Sequence, residues 1–153
     1  MGYKEEKQRQ LDIRYMKMAR IWAENSYCVR RKVGALIVKD KMIISDGYNG
    51  TPSGFENVCE DAHGVTHPYV LHAEANAIIS AARRDMVGGT LYLVGRNAQT
   101  GELLHDATSC AMCRRLVINA GLSKVVIRNT ETEFSTVDVQ DWVDLEDDVP
   151  DLR

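Results

Sequence analysis

Apolar residues recur at helical spacing near the start of the chain. They predict an amphipathic helix from about Leu11 to Glu24, with charged residues on its other side. The apolar positions of this helix are Leu11, Tyr15, Met18, Ile21 and Trp22. We expect that face to pack against the rest of the protein.

Two apolar runs rich in β-branched residues follow this helix. The first covers residues 33–38 and the second residues 42–48, with Lys39-Asp-Lys41 between them. The pattern predicts two strands joined as a hairpin. The next segment, 49–54, is rich in turn-forming residues, and residues 55–68 show no regular pattern.

The second half of the chain alternates between helix-forming and strand-forming segments. Helix character begins at Ala73 and ends by Gly88-Gly89, and a second helix begins at Cys110 and ends before Gly121. The predicted strands are 90–94, 124–128 and 134–139, with a polar loop at 97–106. Alternation after an initial hairpin predicts a three-layer α/β/α domain with a mixed sheet.

Composition and charge are those of a single globular domain. The chain has 153 residues, of which 44% are hydrophobic and 27% charged. We expect one domain over residues 1–143 and an acidic, flexible tail over 144–153. The formal charge of −3 argues against bulk nucleic-acid binding but allows a free nucleotide. The polar start, residues 1–10, and the lack of long apolar runs predict a cytoplasmic, non-membrane protein with reduced cysteines.

The candidate chemistry lies in two short motifs. His72-Ala-Glu74 precedes Cys110-Ala-Met-Cys113 by thirty-eight positions. One imidazole and two thiolates suit a tetrahedral zinc ion, and three protein ligands with an open fourth position is the pattern of catalytic sites. Glu74 is then an acid/base beside the metal that need not bind it. The alternative is a redox pair of cysteines with a structural histidine.

Both motifs fall where a loop runs into a predicted helix. Helix N-termini carry unpaired N–H groups and partial positive charge, which favours the thiolate form of a cysteine. Cys110 and Cys113 are three residues apart, so their side chains share one face of the helix. His72 can complete the site from the other helix start.

Four segments, two of which contain these motifs, resemble the cytidine/deoxycytidylate deaminase superfamily, and within it the deoxycytidylate (dCMP) deaminases. The segments are Val33-Gly-Ala-Leu-Ile-Val38, Ser45-Asp-Gly-Tyr-Asn-Gly-Thr-Pro-Ser-Gly54, Pro68-Tyr-Val-Leu-His-Ala-Glu-Ala-Asn-Ala-Ile78 and Cys110-Ala-Met-Cys-Arg-Arg-Leu-Val-Ile-Asn-Ala-Gly121. The resemblance extends roughly from Leu11 to Arg128. It implies an α/β fold with a mixed five-stranded sheet and hydrolysis of dCMP to dUMP and ammonia.

The resemblance also implies roles for individual residues. Zinc would be held by His72, Cys110 and Cys113, and Glu74 would move protons. Three further residues would contact the nucleotide: the side chain of Asn49, the side chain of Arg30 at the 5′-phosphate, and the backbone carbonyl of Thr108 at the base amine. Members are often homo-oligomers, including hexamers, that are regulated by dCTP and dTTP.

The chain departs from this family in two places. Ser109 stands where the family usually has proline before the first cysteine, and its hydroxyl is expected to cap the helix. The loop at 97–106 is longer than the connection common in relatives, which puts substrate preference in question. His105, on this loop, is expected to be solvated.

Cys28 and Cys59 are left over, with His63 and His67 in the same irregular stretch. Some dCMP deaminases carry a second, structural zinc built from this region. The alternative, which we favour, is that both cysteines are small buried apolar residues.

Three alternative functions share the metal site. The first is deamination of a tRNA adenosine: the enzymes that catalyse it share both motifs but typically lack the Asn49-Gly-x-Pro-x-Gly54 loop. Deamination of free cytidine or guanine requires no phosphate contact at Arg30. A non-catalytic zinc-binding module has no use for Glu74.

Overall fold

The computed structural model describes residues 2–104 and 109–146. The described residues form five helices and five strands in the order α1, β1, β2, α2, α3, β3, α4, β4, β5, α5. Their bounds are α1 Tyr3–Ala23, β1 Arg31–Lys39, β2 Met42–Tyr48, α2 Ala73–Ile79, α3 Arg83–Met86, β3 Thr90–Asn97, α4 Ala111–Asn119, β4 Lys124–Arg128, β5 Phe134–Asp138 and α5 Val139–Glu146. Among these helices, none is long and apolar enough to cross a lipid bilayer.

The strands form one mixed sheet in the order β2-β1-β3-β4-β5. β1 pairs antiparallel with both β2 and β3, β3 pairs parallel with β4, and β4 pairs antiparallel with β5. The parallel step requires a crossover, which α4 supplies between β3 and β4. The predicted hairpin and the mixed sheet of five strands are confirmed.

The central strands are buried on both faces, which explains their continuous apolar sequences. Successive side chains point to opposite faces, so each strand contributes to two cores. One core, on the side of α2, α4 and α5, includes Ala35, Ile37, Leu91, Leu93, Val117, Val125, Ile127 and Trp142. The other, under α1, consists of Tyr15, Met16, Ala19, Leu36, Val38, Tyr92, Val94 and Val126. The sheet therefore lies between two layers of helices, as predicted.

Helix α1 buries only part of the predicted face, because Leu11 and Tyr15 pack into the core while the other three predicted positions are exposed. Met18, Ile21 and Trp22 are 44%, 62% and 38% exposed, whereas Met16, Ala19 and Ala23 are buried. The reason lies in β1, where a Cβ atom at Gly34 would overlap the carbonyl oxygen of Ala19. The backbone of α1 approaches the sheet so closely that small alanines face it, although they carry a weaker apolar signal than tryptophan or isoleucine.

Other element bounds differ from the sequence predictions in ways that packing explains. Helix α1 begins at Tyr3 and not near Leu11. The sequence pattern missed its first turns because their residues are exposed and contribute no apolar periodicity. The segment after Ala73 divides into α2 and the short α3. Helix α5 was not predicted as a separate element. It packs Val139 and Trp142 into the core and continues through Glu146, past the expected domain end at residue 143.

Gly47 in β2 lets the helix that carries two of the motif residues lie directly on the sheet. A Cβ atom there would overlap the carbonyl oxygen of Ala73 and lie 2.6 Å from the amide nitrogen of Ala77. Both atoms belong to the backbone of α2, so they can move only if the whole helix moves. The position of His72 and Glu74 thus depends on the absence of a side chain at Gly47.

We expect Gly47→Ala to destabilise the protein by roughly 1–3 kcal/mol, the usual cost of overpacking, and to weaken metal binding as α2 shifts. Urea unfolding and zinc titration measure the two effects. Gly2→Ala is the matched control, because no other atom lies within 4 Å of a Cβ built at Gly2. A Gly47→Ala protein with wild-type stability and zinc affinity would contradict the close approach.

Candidate active site

The two motifs meet in space and bring three metal-binding atoms together. His72 Nδ1 lies 3.3 Å from Cys110 Sγ and 3.2 Å from Cys113 Sγ. All three atoms lie within 4.8 Å of one another. The predicted convergence of one imidazole and two thiols is confirmed.

Two helix starts hold these donors in place. His72 is the N-cap residue of α2, and Cys110 is the N-cap residue of α4. Cys110 Sγ accepts a hydrogen bond from the amide of Cys113, so the thiol itself caps the helix. Both helices lie on the same side of the sheet and pack against each other.

Helix α2 is fixed to β2 by side-chain hydrogen bonds. Asn76 Nδ2 donates to the carbonyl of Tyr48 over 2.8 Å, and Ser45 Oγ donates to the carbonyl of Ala77 over 2.5 Å. These bonds leave α2 little freedom to slide or rotate on the sheet. They therefore set the position from which His72 reaches the cysteines.

The donor set fits zinc. Ligand distances of about 2.0 Å to nitrogen and about 2.3 Å to sulfur, at tetrahedral angles, separate the donors by about 3.5 Å. The observed nitrogen–sulfur distances of 3.3 and 3.2 Å are close to this separation. One imidazole and two thiols are the borderline and soft ligands that zinc prefers. These three residues could hold a zinc ion and leave a fourth position open.

Glu74 is buried beside the donors, with 4% of its surface exposed. Burial raises the pKa of the Cys113 thiol, and the negative charge of Glu74 raises it further. A divalent cation among the donors would offset both effects, because it stabilises the thiolate. A buried carboxylate at an open metal position is suited to accept and donate protons.

A cavity of about 390 Å³ opens in front of the three donors. Arg30, Asn49, His72, Glu74 and Cys110 all line it. Its other walls are formed by Cys28, Arg31, Val33, Glu60, Thr66, Val70, Ala73, Leu93 and Leu104. The structure thus places two of the predicted nucleotide contacts, Arg30 and Asn49, in the same cavity as the metal donors.

The Asn49 side chain is already engaged with strand β1. Its Oδ1 accepts from the amide of Val33, and its Nδ2 donates to the carbonyl of Arg31, both over 2.9 Å. These bonds orient the carboxamide, and each polar atom keeps capacity for one more partner. Asn49 therefore both fixes the loop after β2 and presents a polar group at the cavity wall.

The loop after β3 is not wholly irregular. Arg96 and Leu103 form an isolated antiparallel bridge, and the amide of Leu104 donates to the carbonyl of Gly95. Residues 95–104 therefore form a small hairpin that brings Leu104 to the cavity. The amide of Ala98 donates to the carbonyl of Arg30, so this hairpin also contacts the segment that carries the arginine.

Thr108 and His105 lie outside the described residues. Ser109 is described, and the expectation that its hydroxyl caps α4 is wrong. Cys110 is the N-cap residue, whereas Ser109 Oγ is buried with no hydrogen-bond partner within residues 2–104 and 109–146. The cap falls one residue later because the sulfur of Cys110 is the atom that reaches the amide of Cys113.

The prediction that all four cysteines are reduced is wrong for one pair. Cys28 and Cys59 form a disulfide, and both residues are buried. The two sulfurs and a carboxylate oxygen of Glu60 lie within 4.8 Å of one another. In the disulfide form these sulfurs are not metal-binding thiolates, and neither His63 nor His67 belongs to this group among the described residues.

Sequence reasoning missed Glu60, which lines the cavity, and Tyr27, which holds the loop after β2. Glu60 is buried and accepts hydrogen bonds from the amides of Val29 and Arg30. Tyr27 Oη accepts from the amide of Thr51 and holds the loop after β2. Neither residue belongs to a motif. The only local signal for Glu60 is its place beside Cys59, in a segment that otherwise looks irregular.

Comparison with known proteins gives consistent matches. The family model for the cytidine and deoxycytidylate deaminase zinc-binding region matches residues 9–129. The deoxycytidylate deaminase of Mycobacterium phage D29 is 31% identical over 126 residues, which cover 73% of this chain and 89% of that protein. The deoxycytidylate deaminase of Saccharomyces cerevisiae is 34% identical, but the match covers 75% of this chain and only 36% of the yeast protein.

A solved structure is also similar. The crystal structure of dCMP deaminase from the cyanophage S-TIM5, in complex with dCMP and dUMP, superposes with a TM-score of 0.64. The two sequences are 35% identical, and the match covers 85% of each chain. The predicted three-layer fold with a mixed five-stranded sheet is confirmed.

Proposed function

The chain belongs to the cytidine and deoxycytidylate deaminase family, and from that membership we propose that it is a zinc-dependent hydrolase that converts dCMP and water to dUMP and ammonia. One observation carries the proposal: the imidazole of His72 and the thiols of Cys110 and Cys113 meet beside a cavity that His72, Glu74 and Cys110 line. The similarity to deoxycytidylate deaminases of phage D29 and yeast, and to the S-TIM5 enzyme, supports dCMP as the substrate.

His72, Cys110 and Cys113 would hold the zinc ion, which when bound would supply Lewis-acid activation of a water molecule. Glu74 would take one proton from the water as the water oxygen bonds to the amine-bearing carbon of cytosine, and would deliver that proton to the adjacent ring nitrogen. The same carboxylate would then move the proton of the new hydroxyl group to the amine, so that the carbon–nitrogen bond breaks, the carbonyl group of dUMP forms and ammonia leaves. Burial of Glu74 keeps bulk water away from the carboxylate during these transfers.

Three further residues bind the nucleotide. Arg30 contacts the 5′-phosphate, Asn49 hydrogen-bonds the nucleotide, and the carbonyl of Thr108 accepts from the base amine. Arg30 and Arg31 put two positive charges on the cavity wall, which suits a substrate bearing a phosphate. A free nucleoside or guanine has no phosphate for these two charges to bind.

An ammonia-release panel tests the substrate. Zinc-loaded protein is assayed with dCMP, CMP, dCTP, cytidine, guanine and a tRNA, with and without dCTP or dTTP as effector. We expect kcat/KM to be highest for dCMP. Equal or faster turnover of an unphosphorylated compound overturns the nucleotide assignment and the role of Arg30. If no compound is deaminated, the non-catalytic zinc-binding module is correct.

We also propose a cytoplasmic homo-oligomer, a hexamer in some relatives of the family, with dCTP and dTTP as regulators. Ile79 and Met112, on α2 and α4, are 72% and 63% exposed. Apolar side chains at such exposure on adjacent helices favour a contact between subunits. Sedimentation velocity measures the oligomeric state directly.

A further inference from the structure

Glu60 is a buried carboxylate that the proposed reaction does not use. It is 8% exposed and lies on the cavity wall. Its carboxylate Oε1 accepts from the amide of Val29 over 3.0 Å and from the amide of Arg30 over 3.2 Å, and Oε2 accepts from Val29 over 3.3 Å. Both carboxylate oxygens of Glu60 therefore accept hydrogen bonds from the backbone at residues 29 and 30.

Glu60 itself is held on a small hairpin. It pairs with Thr66 across an antiparallel bridge, and the amide of His67 donates to the carbonyl of Cys59. The Cys28–Cys59 disulfide joins the same hairpin to the chain two residues before Arg30. The segment that leads into β1 is thus attached to the hairpin at two adjacent points, one covalent and one through Glu60.

The attachment matters because Arg30 lies outside the sheet. Strand β1 begins at Arg31, so the ladder of strand hydrogen bonds does not fix the backbone of residue 30. Two contacts fix it instead: its amide donates to Glu60, and its carbonyl accepts from Ala98. Its side chain is long and exposed, so the backbone contacts decide where the guanidinium can reach.

We propose that Glu60 is a positioning residue for substrate recognition: by accepting the amides of residues 29 and 30, it holds Arg30 where its guanidinium meets the phosphate of the nucleotide. This inference rests on the proposed function, in which Arg30 binds the 5′-phosphate. The carboxylate acts through its acceptor oxygens, because its negative charge would by itself repel a phosphate. Glu60 therefore affects nucleotide binding and leaves the zinc chemistry unchanged.

A double-mutant cycle tests the inference, with kcat and KM for dCMP measured on zinc-loaded protein. We expect Arg30→Ala to raise KM at least about tenfold, as for a lost charge-assisted hydrogen bond. Glu60→Ala should raise KM at least about fivefold through two unsatisfied amides. Both variants should retain kcat and zinc content. The double variant should match Arg30→Ala alone, because Glu60 acts only through Arg30.

Two further variants separate positioning from charge and from folding. Glu60→Gln keeps the Oε1 acceptor and loses the charge, so its KM should stay close to the wild-type value. Glu56→Ala, at an exposed carboxylate four residues earlier, is the matched control and should behave as wild type. The disulfide still attaches residue 28 to the hairpin in Glu60→Ala, which favours folding, and a thermal melt measures it.

Each outcome decides one of the two claims. If Glu60→Ala lowers kcat or zinc content and leaves KM unchanged, or if the two substitutions are additive in KM, the positioning role is wrong and the proposed function stands. If Glu60→Gln is as impaired as Glu60→Ala, the charge acts and the acceptor argument is overturned. If Arg30→Ala leaves KM unchanged, the phosphate contact in the proposed function fails first.

Discussion

Replacing Glu74 with alanine is expected to lower ammonia release from dCMP by roughly 100- to 10,000-fold, the usual contribution of a positioned acid/base. The carboxylate is buried beside the metal donors. Among the described residues, Glu60 is the only other carboxylate that lines the cavity. Glu60 is occupied by backbone amides. Nothing else in the described part of the cavity could take over the proton transfer.

The same substitution is expected to preserve zinc binding. The negative charge of Glu74 raises the pKa of the Cys113 thiol. Its removal makes the thiolate easier to form, and the thiolate is the form that binds metal. Zinc content, measured by atomic emission on purified protein, should therefore equal that of the wild type.

Glu56→Ala, at an exposed carboxylate, is the control for the loss of a negative charge. Glu74→Gln keeps the shape of the side chain and removes its proton-accepting group, so it should be nearly as inactive as Glu74→Ala. An active Glu74→Gln protein, or a Glu74→Ala protein that loses its zinc, would contradict the role of Glu74 as a proton carrier.

Replacing His72 with alanine is expected to abolish both zinc binding and activity. It removes one of three donors and the only nitrogen among them. Without the Lewis acid, the loss of about 4 kcal/mol of stabilisation corresponds to a decrease of about 1000-fold in rate. Cys113→Ser should act in the same way, because a hydroxyl is a poor substitute for a thiolate.

Zinc content and dCMP turnover measure these effects together. The wild type should hold one zinc ion per chain, since the described structure has Cys28 and Cys59 in a disulfide. His63→Ala is the matched control, because this exposed histidine lies outside the three-donor group. A second zinc in the wild type that disappears in His63→Ala would show that the region around Cys59 binds metal instead of forming the disulfide.

The sequence predicted the convergence of the three metal donors because these residues lie in short motifs at helix starts. His72 and Cys110 each lie at the start of a helix, as the sequence pattern indicated. The strands were also predictable, since continuous apolar runs mark strands buried on both faces. Helix α1 was harder, because its buried alanines have a weak apolar signal and its exposed residues a strong one.

The residues of the cavity wall were less predictable than the three metal donors. Glu60 lies in a segment without periodicity, and its role depends on amides thirty and thirty-one positions earlier. The expected cap at Ser109 was wrong by one residue, because capping depends on which side-chain atom reaches an amide. The pairing of Cys28 with Cys59 depends on a contact across thirty-one residues, for which the sequence held no distinguishing pattern.

The sequence by itself determined the candidate donor set, the candidate acid/base and the alternation of strands and helices, because these follow from residue types and local spacing. Only the tertiary structure decided three contacts: the packing of the alanine face of α1 on Gly34, the close approach of α2 to Gly47, and the hydrogen bond from the amide of Arg30 to Glu60. Each of these is a contact between segments distant in the chain. Such contacts depend on how closely two backbones approach, and local residue spacing carries no measure of that distance.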